Sequence, residues 1–201
     1  MKKISWICKF VVVVLCILGI AYAFPMILEG DWYEVGIRLT IILTALVPTM
    51  VRKILHLKIS YTMELVYLLF IIFGHFIGSI LGIYNEISHY DKIMHTLSGV
   101  LTSFIALIIL NNINQYKFKN VIFNIVFMIV FSLAVAGIWE IFEFTNDILF
   151  QADAQKVAIS GVNDTMLDMI VALFGSILVC IEYGIEVCTH KKGLVYALVH
   201  Y

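Results

Sequence analysis

Charge is scarce in this chain. Only 13% of its 201 residues are Asp, Glu, Lys or Arg, against about 25% in a soluble domain. That excludes a solvated globular surface. With 13 basic and 14 acidic side chains, it also excludes the basic footprint of a nucleic-acid binder. Cysteine is confined to Cys8, Cys16, Cys180 and Cys188, all in apolar stretches and none at metal-ligand spacing. A disulfide framework is therefore not supported, and the four read as small buried hydrophobes. The chain also lacks period-2 alternation, a long polar linker, an internal repeat, an HExxH pair and a nucleophile elbow.

Apolar sequence takes the place of charge. Hydrophobic residues make up 62% of the chain, and its mean hydropathy is +1.01. A membrane span needs about 20 mostly apolar residues. Six stretches meet or approach this: residues 5–28, 34–51, 61–83, 92–111, 121–145 and 165–187. The second is the shortest and carries Arg38. Only helices or closed barrels satisfy the backbone in lipid, and unbroken apolar runs mean helices. The expected fold is all-α: a polytopic six-helix transmembrane bundle forming one integral membrane domain over residues 1–201.

The loops set its direction. Lys2 and Lys3, then Arg52, Lys53 and Lys58, then Lys117 and Lys119, then Lys191 and Lys192 alternate with acidic loops and segment ends. The acidic set is Glu29, Asp31 and Glu34, then Glu86 and Asp91, then Asp147 and Asp153. The positive-inside rule puts both termini in the cytoplasm of a cell (plasma) membrane protein. Lys2 and Lys3, a Val-rich run and Ala21-Tyr22-Ala23 also resemble a signal peptide with its cleavage site. Lys9 within the run and Pro25 just beyond it argue against cleavage. Gly74, Gly78 and Gly82 form a small-residue ridge suited to packing inside the bundle or to a homo-oligomer contact.

Polar residues recur at matched ends of the last three segments. Asp91 and His95, at i and i+4, share one face where segment 4 opens. Glu140 and Glu143, at i and i+3, close segment 5, and Asp147 continues their face. Asp164 and Asp168, again i and i+4, open segment 6. All six core residues fall on the outer side at one depth. An ionised residue within a span costs at least about 2.5–3.5 kcal/mol, and close carboxylates repel. Local positive charge comes from Lys92, Arg38 and a protonated His95, which leaves a shortfall to be met by a bound cation or shared protons. Oxygen-rich ligands with one imidazole suit Mn, Mg, Fe(II) or Zn, and facing-helix carboxylates hold metals in bundle proteins. The metal-ligand set is then His95, Glu140, Glu143, Asp164 and Asp168, and the catalytic set Asp91, His95, Glu140, Glu143 and Asp168. The competing reading is local: Asp164 as an N-cap, Asp168 serving the helix dipole, Glu143 and Asp147 facing water. His75 could approach from below or be hydrogen-bonded within the bundle. Ser98, one turn below His95, could form a Ser/His nucleophile pair.

Three runs carry a family resemblance. Tyr90-Asp91-Lys92-Ile93-Met94-His95-Thr96-Leu97-Ser98-Gly99, Gly137-Ile138-Trp139-Glu140-Ile141-Phe142-Glu143 and Asn163-Asp164-Thr165-Met166-Leu167-Asp168-Met169 occur in order. Together they resemble the YjdF-like family of bacterial and archaeal integral membrane proteins, over about Tyr84 to Val179. That family often has Gln where this chain has Met166. A more distant similarity, through Asp91-Lys92-x-x-His95 and the later acidic residues, is to VanZ-like membrane proteins, which tend to have Gln in place of Glu143. Neither family supplies an established reaction.

Three functions compete. One is a metal-dependent membrane enzyme acting on a lipid or envelope precursor. The second is a proton- or cation-coupled small transporter, which the absence of a repeat and of a clearly broken helix disfavours. The third is a structural or regulatory membrane protein whose polar layer fixes packing. Membrane lipid is the expected partner in each case, and nucleic acid in none.

Overall fold

The computed structural model describes residues 2–114, 120–155 and 160–199; Lys117 and Lys119 of the basic loop set lie outside them. Among the described residues the chain is all-helical, without strands. Six of its helices are long and apolar enough to cross a membrane. They are α1 (Lys2–Glu29), α2 (Trp32–Ile54), α3 (Tyr61–Ile71, prolonged by a π-helical stretch Ile72–Ile80), α5 (Tyr90–Asn112), α6 (Val121–Phe150) and α7 (Asn163–Thr189). Short helices α4 (Ile83–Glu86) and α8 (Leu194–Val199) complete the set. The chain forms two compact units, residues 1–90 and 91–200, each with three of the long helices.

In the first unit, helix starts follow their side chains. Asp31 accepts the Glu34 N–H at 3.0 Å to cap α2, and Ser60 accepts the Met63 N–H at 3.1 Å to cap α3. Arg38 is paired with Glu34 one turn away, so its charge is matched within its own helix. Arg52 pairs with the buried Glu64 at 2.5 Å and donates twice to the Ile59 carbonyl oxygen. The tripeptide Ala21-Tyr22-Ala23 lies inside α1, which runs unbroken to Glu29.

The third long helix departs from expectation. Its second half winds as a π-helix, closed by Leu81 N–H to the Phe76 carbonyl at 2.9 Å. His75 sits there with Nε2 at 3.0 Å from the Ile37 carbonyl oxygen and 3.3 Å from Thr40 Oγ1; the hydrogen-bonded reading is the one realised. Gly82 adopts φ +79° and ends the helix, so it is no rung of a helical ridge with Gly74 and Gly78. Gly78 lies directly under the Tyr84 ring, where a Cβ has no room.

In the second unit, α5 is the inner helix: 61% of its apolar window is buried, against 22% for α6 and 39% for α7. Its contact with α7 is a close backbone approach between small residues. A Cβ on Gly99 would overlap the Ala172 carbonyl, and one on Gly175 would overlap the Thr96 carbonyl. One turn further in, Ser103 Oγ donates to Ser176 Oγ at 2.8 Å. Small residues permit such an approach, and in lipid the resulting dispersion contacts and hydrogen bonds are what hold helices together. Asp91, His95, Gly99 and Ser103 thus form a four-residue-spaced stripe on α5, facing the equally spaced Asp164, Asp168, Ala172 and Ser176 on α7. The upper rungs are charged, the lower ones small.

The C-terminal end of α7 is tied down by the buried Glu186. Its carboxylate accepts the Val195 N–H at 2.7 Å and the Tyr196 N–H at 3.0 Å, capping α8. Hydrogen bonds to a charged group contribute about 1.5–3 kcal/mol each. Glu186→Ala is therefore expected to speed hydrogen exchange at the Val195 and Tyr196 amides at least tenfold; unchanged exchange would show that α8 docks without this cap.

Candidate functional site

The site is built where α5 and α7 begin, above their close contact. Asp91 is in the first turn of α5 and His95 one turn below; Asp164 and Asp168 repeat the arrangement on α7. Because the two backbones approach closely at Gly99 and Gly175, these four side chains spring from neighbouring helix starts.

Lys92 occupies the centre. Its ammonium lies 2.6 Å from Asp164 Oδ1, 2.7 Å from Asp168 Oδ1 and 3.3 Å from Asp91 Oδ2. The first two are charge-assisted hydrogen bonds of full strength. His95 Nε2 stands beside them, 3.5 Å from Asp91 Oδ1 and 3.7 Å from Asp168 Oδ1, which exceeds hydrogen-bond length. One ligand atom from each of Asp91, His95 and Asp168 can be chosen so that all lie within 4.8 Å of one another. Asp168 is 2% and His95 8% exposed, so these two are shielded from bulk water, while Asp91, Lys92 and Asp164 stand half-buried at the rim.

Glu140 approaches from α6. It is 5% exposed, and its Oε1 has no hydrogen-bond partner, an arrangement that costs free energy for a buried polar atom unless something meets it. It is within electrostatic reach of Asp168 and His95. Gln155 holds its other side: Nε2 donates at 3.3 Å to Glu140 Oε2, at 3.2 Å to the Glu140 carbonyl and at 3.1 Å to Thr165 Oγ1. Asp147 in turn clasps the returning chain, accepting the Ala154 N–H at 2.7 Å and the Gln155 N–H at 3.1 Å. Asp147 is therefore a loop clasp, not merely a water-facing acid.

Asp91, His95, Asp164, Asp168 and Glu140 come together as a group. Glu143 stands slightly apart. Its Oε1 accepts the Trp139 indole N–H at 2.8 Å on a more exposed face, although it remains within electrostatic range of Glu140, Asp91 and Asp168. Asp164 does not N-cap: that position is Val162, with no side-chain bond, and the Asp164 carboxylate holds Lys92 instead. Ser98 is not poised on the imidazole; its hydroxyl donates to the His95 carbonyl at 2.7 Å. Gln155 and Thr165 are the participants that pattern reading missed, and Lys92 it counted only as nearby positive charge. Lys92 carried a signal, being, among the described residues, the basic residue inside the acidic layer of the last three segments. Gln155 carried none.

Six helices long and apolar enough to cross a membrane, with a half-buried Asp–His–Lys cluster at the ends of two of them and Glu140 entering from a third, are the features of a multi-pass membrane protein. The chain belongs to the family described as "Predicted membrane protein (DUF2238)", whose model matches residues 7–186. It is 31% identical over 130 residues to an uncharacterized protein of Thermotoga maritima, an alignment covering 64% of this chain and 65% of that relative. The chain thus spans just under two thirds of that relative's length. No solved structure matches it.

Proposed function

We propose that this protein lies in the plasma membrane with both termini in the cytoplasm, and that its polar cluster, on the outer side, binds a divalent cation used to act on a lipid or envelope precursor. The alternation of basic and acidic loops supports the orientation. The three ordered motifs support kinship with the YjdF-like proteins and, more distantly, the VanZ-like ones. One observation carries the functional reading: ligand atoms of the buried His95 and Asp168 and of the half-buried Asp91 lie mutually close, and Glu140, within electrostatic reach of Asp168 and His95, has a buried oxygen with no partner. Three carboxylates and one imidazole suit Mn, Mg, Fe(II) or Zn. The bound cation supplies Lewis acidity and an activated water. Glu143 serves as the neighbouring base.

The experiment is metal analysis of the purified chain after equilibration with Mn²⁺. Stoichiometric ion is expected in the wild type and its loss in Asp91→Asn and Glu140→Gln, with helicity unchanged. Wild-type protein that retains no ion, or variants that keep it, would sink the reading. A cation-coupled carrier is the second reading, favoured by the carboxylates gathered about Lys92, which can bind protons or ions. Mn²⁺ or proton flux into liposomes, without conversion of lipid, distinguishes it.

A further inference from the structure

We infer that Lys92 is the resident counter-ion of the cluster and its selectivity filter: a cation enters only by displacing the Lys92 ammonium from Asp168, which favours divalent over monovalent ions. This inference rests on the cation-binding reading above and adds the rule by which the site chooses.

The geometry sets up the competition. Asp168 Oδ1 is shared: it accepts from Lys92 Nζ at 2.7 Å and is also the oxygen 3.7 Å from His95 Nε2. A transition-metal ion binds carboxylate oxygen at about 2.0–2.2 Å. An ion on that oxygen with Lys92 still in place would therefore lie no more than about 5 Å from the ammonium. At that range like charges repel, so Lys92 and the ion compete for Asp168.

The cluster is also built for the exchange. Asp91, Asp164 and Asp168 present three carboxylates to one ammonium, so Lys92 can leave Asp168 without leaving the cluster. Glu140 supplies the independent sign of a missing ligand, since it is 95% enclosed and its Oε1 is unmet while its other oxygen is held by Gln155. Lys92 has somewhere to go: its side chain is 22% exposed, against 2% for Asp168. Its four-carbon stem is flexible, and Asp164, 12% exposed, can keep its partner at the rim. A monovalent ion offers the carboxylates no more charge than the ammonium it replaces, and it forfeits the hydrogen bonds. A divalent ion offers twice the charge and reaches His95 and Glu140 as well.

The test is titration of the full-length chain in detergent with Mn²⁺, in wild type, Lys92→Met and Lys92→Arg, with Na⁺ as competitor. Lys92→Met is expected to bind Mn²⁺ at least tenfold more tightly than wild type and to become sensitive to Na⁺. Lys92→Arg should keep both the weaker binding and the Na⁺ resistance. If wild type binds Mn²⁺ and Lys92→Met binds it equally or less tightly, the displacement rule is overturned while the cation site survives. If neither binds, both fall together. Should Lys92→Met not fold, Lys92→Gln carries the same comparison.

Discussion

Gly99→Ala is expected to abolish the well-packed second unit. The added Cβ would fall on the Ala172 carbonyl, which is backbone and cannot rotate away. Overpacking costs about 1–3 kcal/mol where side chains can adjust, and more where they cannot; here the helices themselves must separate. The expected result is about 3 kcal/mol or more of lost stability, read as a collapse of the monodisperse fraction in detergent and a lowered unfolding midpoint. Gly175→Ala should behave alike, because its Cβ meets the Thr96 carbonyl. Gly184→Ala on the same α7, with nothing within 4 Å of the new methyl, is the control and should be neutral. A tolerated Gly99→Ala would mean that α5 and α7 are not in backbone contact.

The second large effect is on binding rather than folding. Asp168→Asn removes the carboxylate shared by Lys92 and His95. Breaking a buried ion pair costs about 3–5 kcal/mol when it strands a charge. Lys92 is not stranded, because Asp164 remains at 2.6 Å, so the stability loss should stay near 1 kcal/mol. Cation affinity should nevertheless fall at least a hundredfold, about 2.8 kcal/mol, since a central ligand has gone. Near-normal Mn²⁺ binding in a folded Asp168→Asn would remove this residue from the site.

Much of this architecture can be read from the chain because lipid leaves so few choices. Six apolar runs became six long helices, five of them longer than their runs by a few residues and the third shorter. The run at 121–145 continues to Phe150 because helix α6 does not stop where apolar sequence stops; it ends at Gln151, in the left-handed conformation. The run at 61–83 ends early, since Gly82 turns the backbone and the preceding stretch is wound as a π-helix. Hydropathy does not register that change of winding.

At the site, spacing identified the face but not the partners. Asp91/His95 and Asp164/Asp168 were visible as i, i+4 pairs, and their continuation into Gly99/Ser103 and Ala172/Ser176 lay in the same register. Small residues at that spacing are common in apolar helices, however, and the glycines of the third segment were more conspicuous. Lys92 was counted only as a nearby charge, because neighbours at i, i+1 on a helix do not face each other. Its role depends on residues 72 and 76 positions later in the chain. Glu186 likewise takes its role from a helix beyond the last span, which supplies the two amides it caps.

That distance in sequence bears on how the protein is made. When α5 is synthesised, Lys92 has Asp91 beside it, but Asp164 and Asp168 do not yet exist. At about 5–20 residues per second, the 72 residues to Asp164 take roughly 4–14 s. During that interval the charged end of α5 stays at the water boundary, held back by the cost of carrying an unmatched ammonium inward. Arrival of α7 ends the wait by completing the cluster. A nascent chain stopped before residue 163 keeps that end exposed, and so carries a mark of incompleteness that the finished protein has lost.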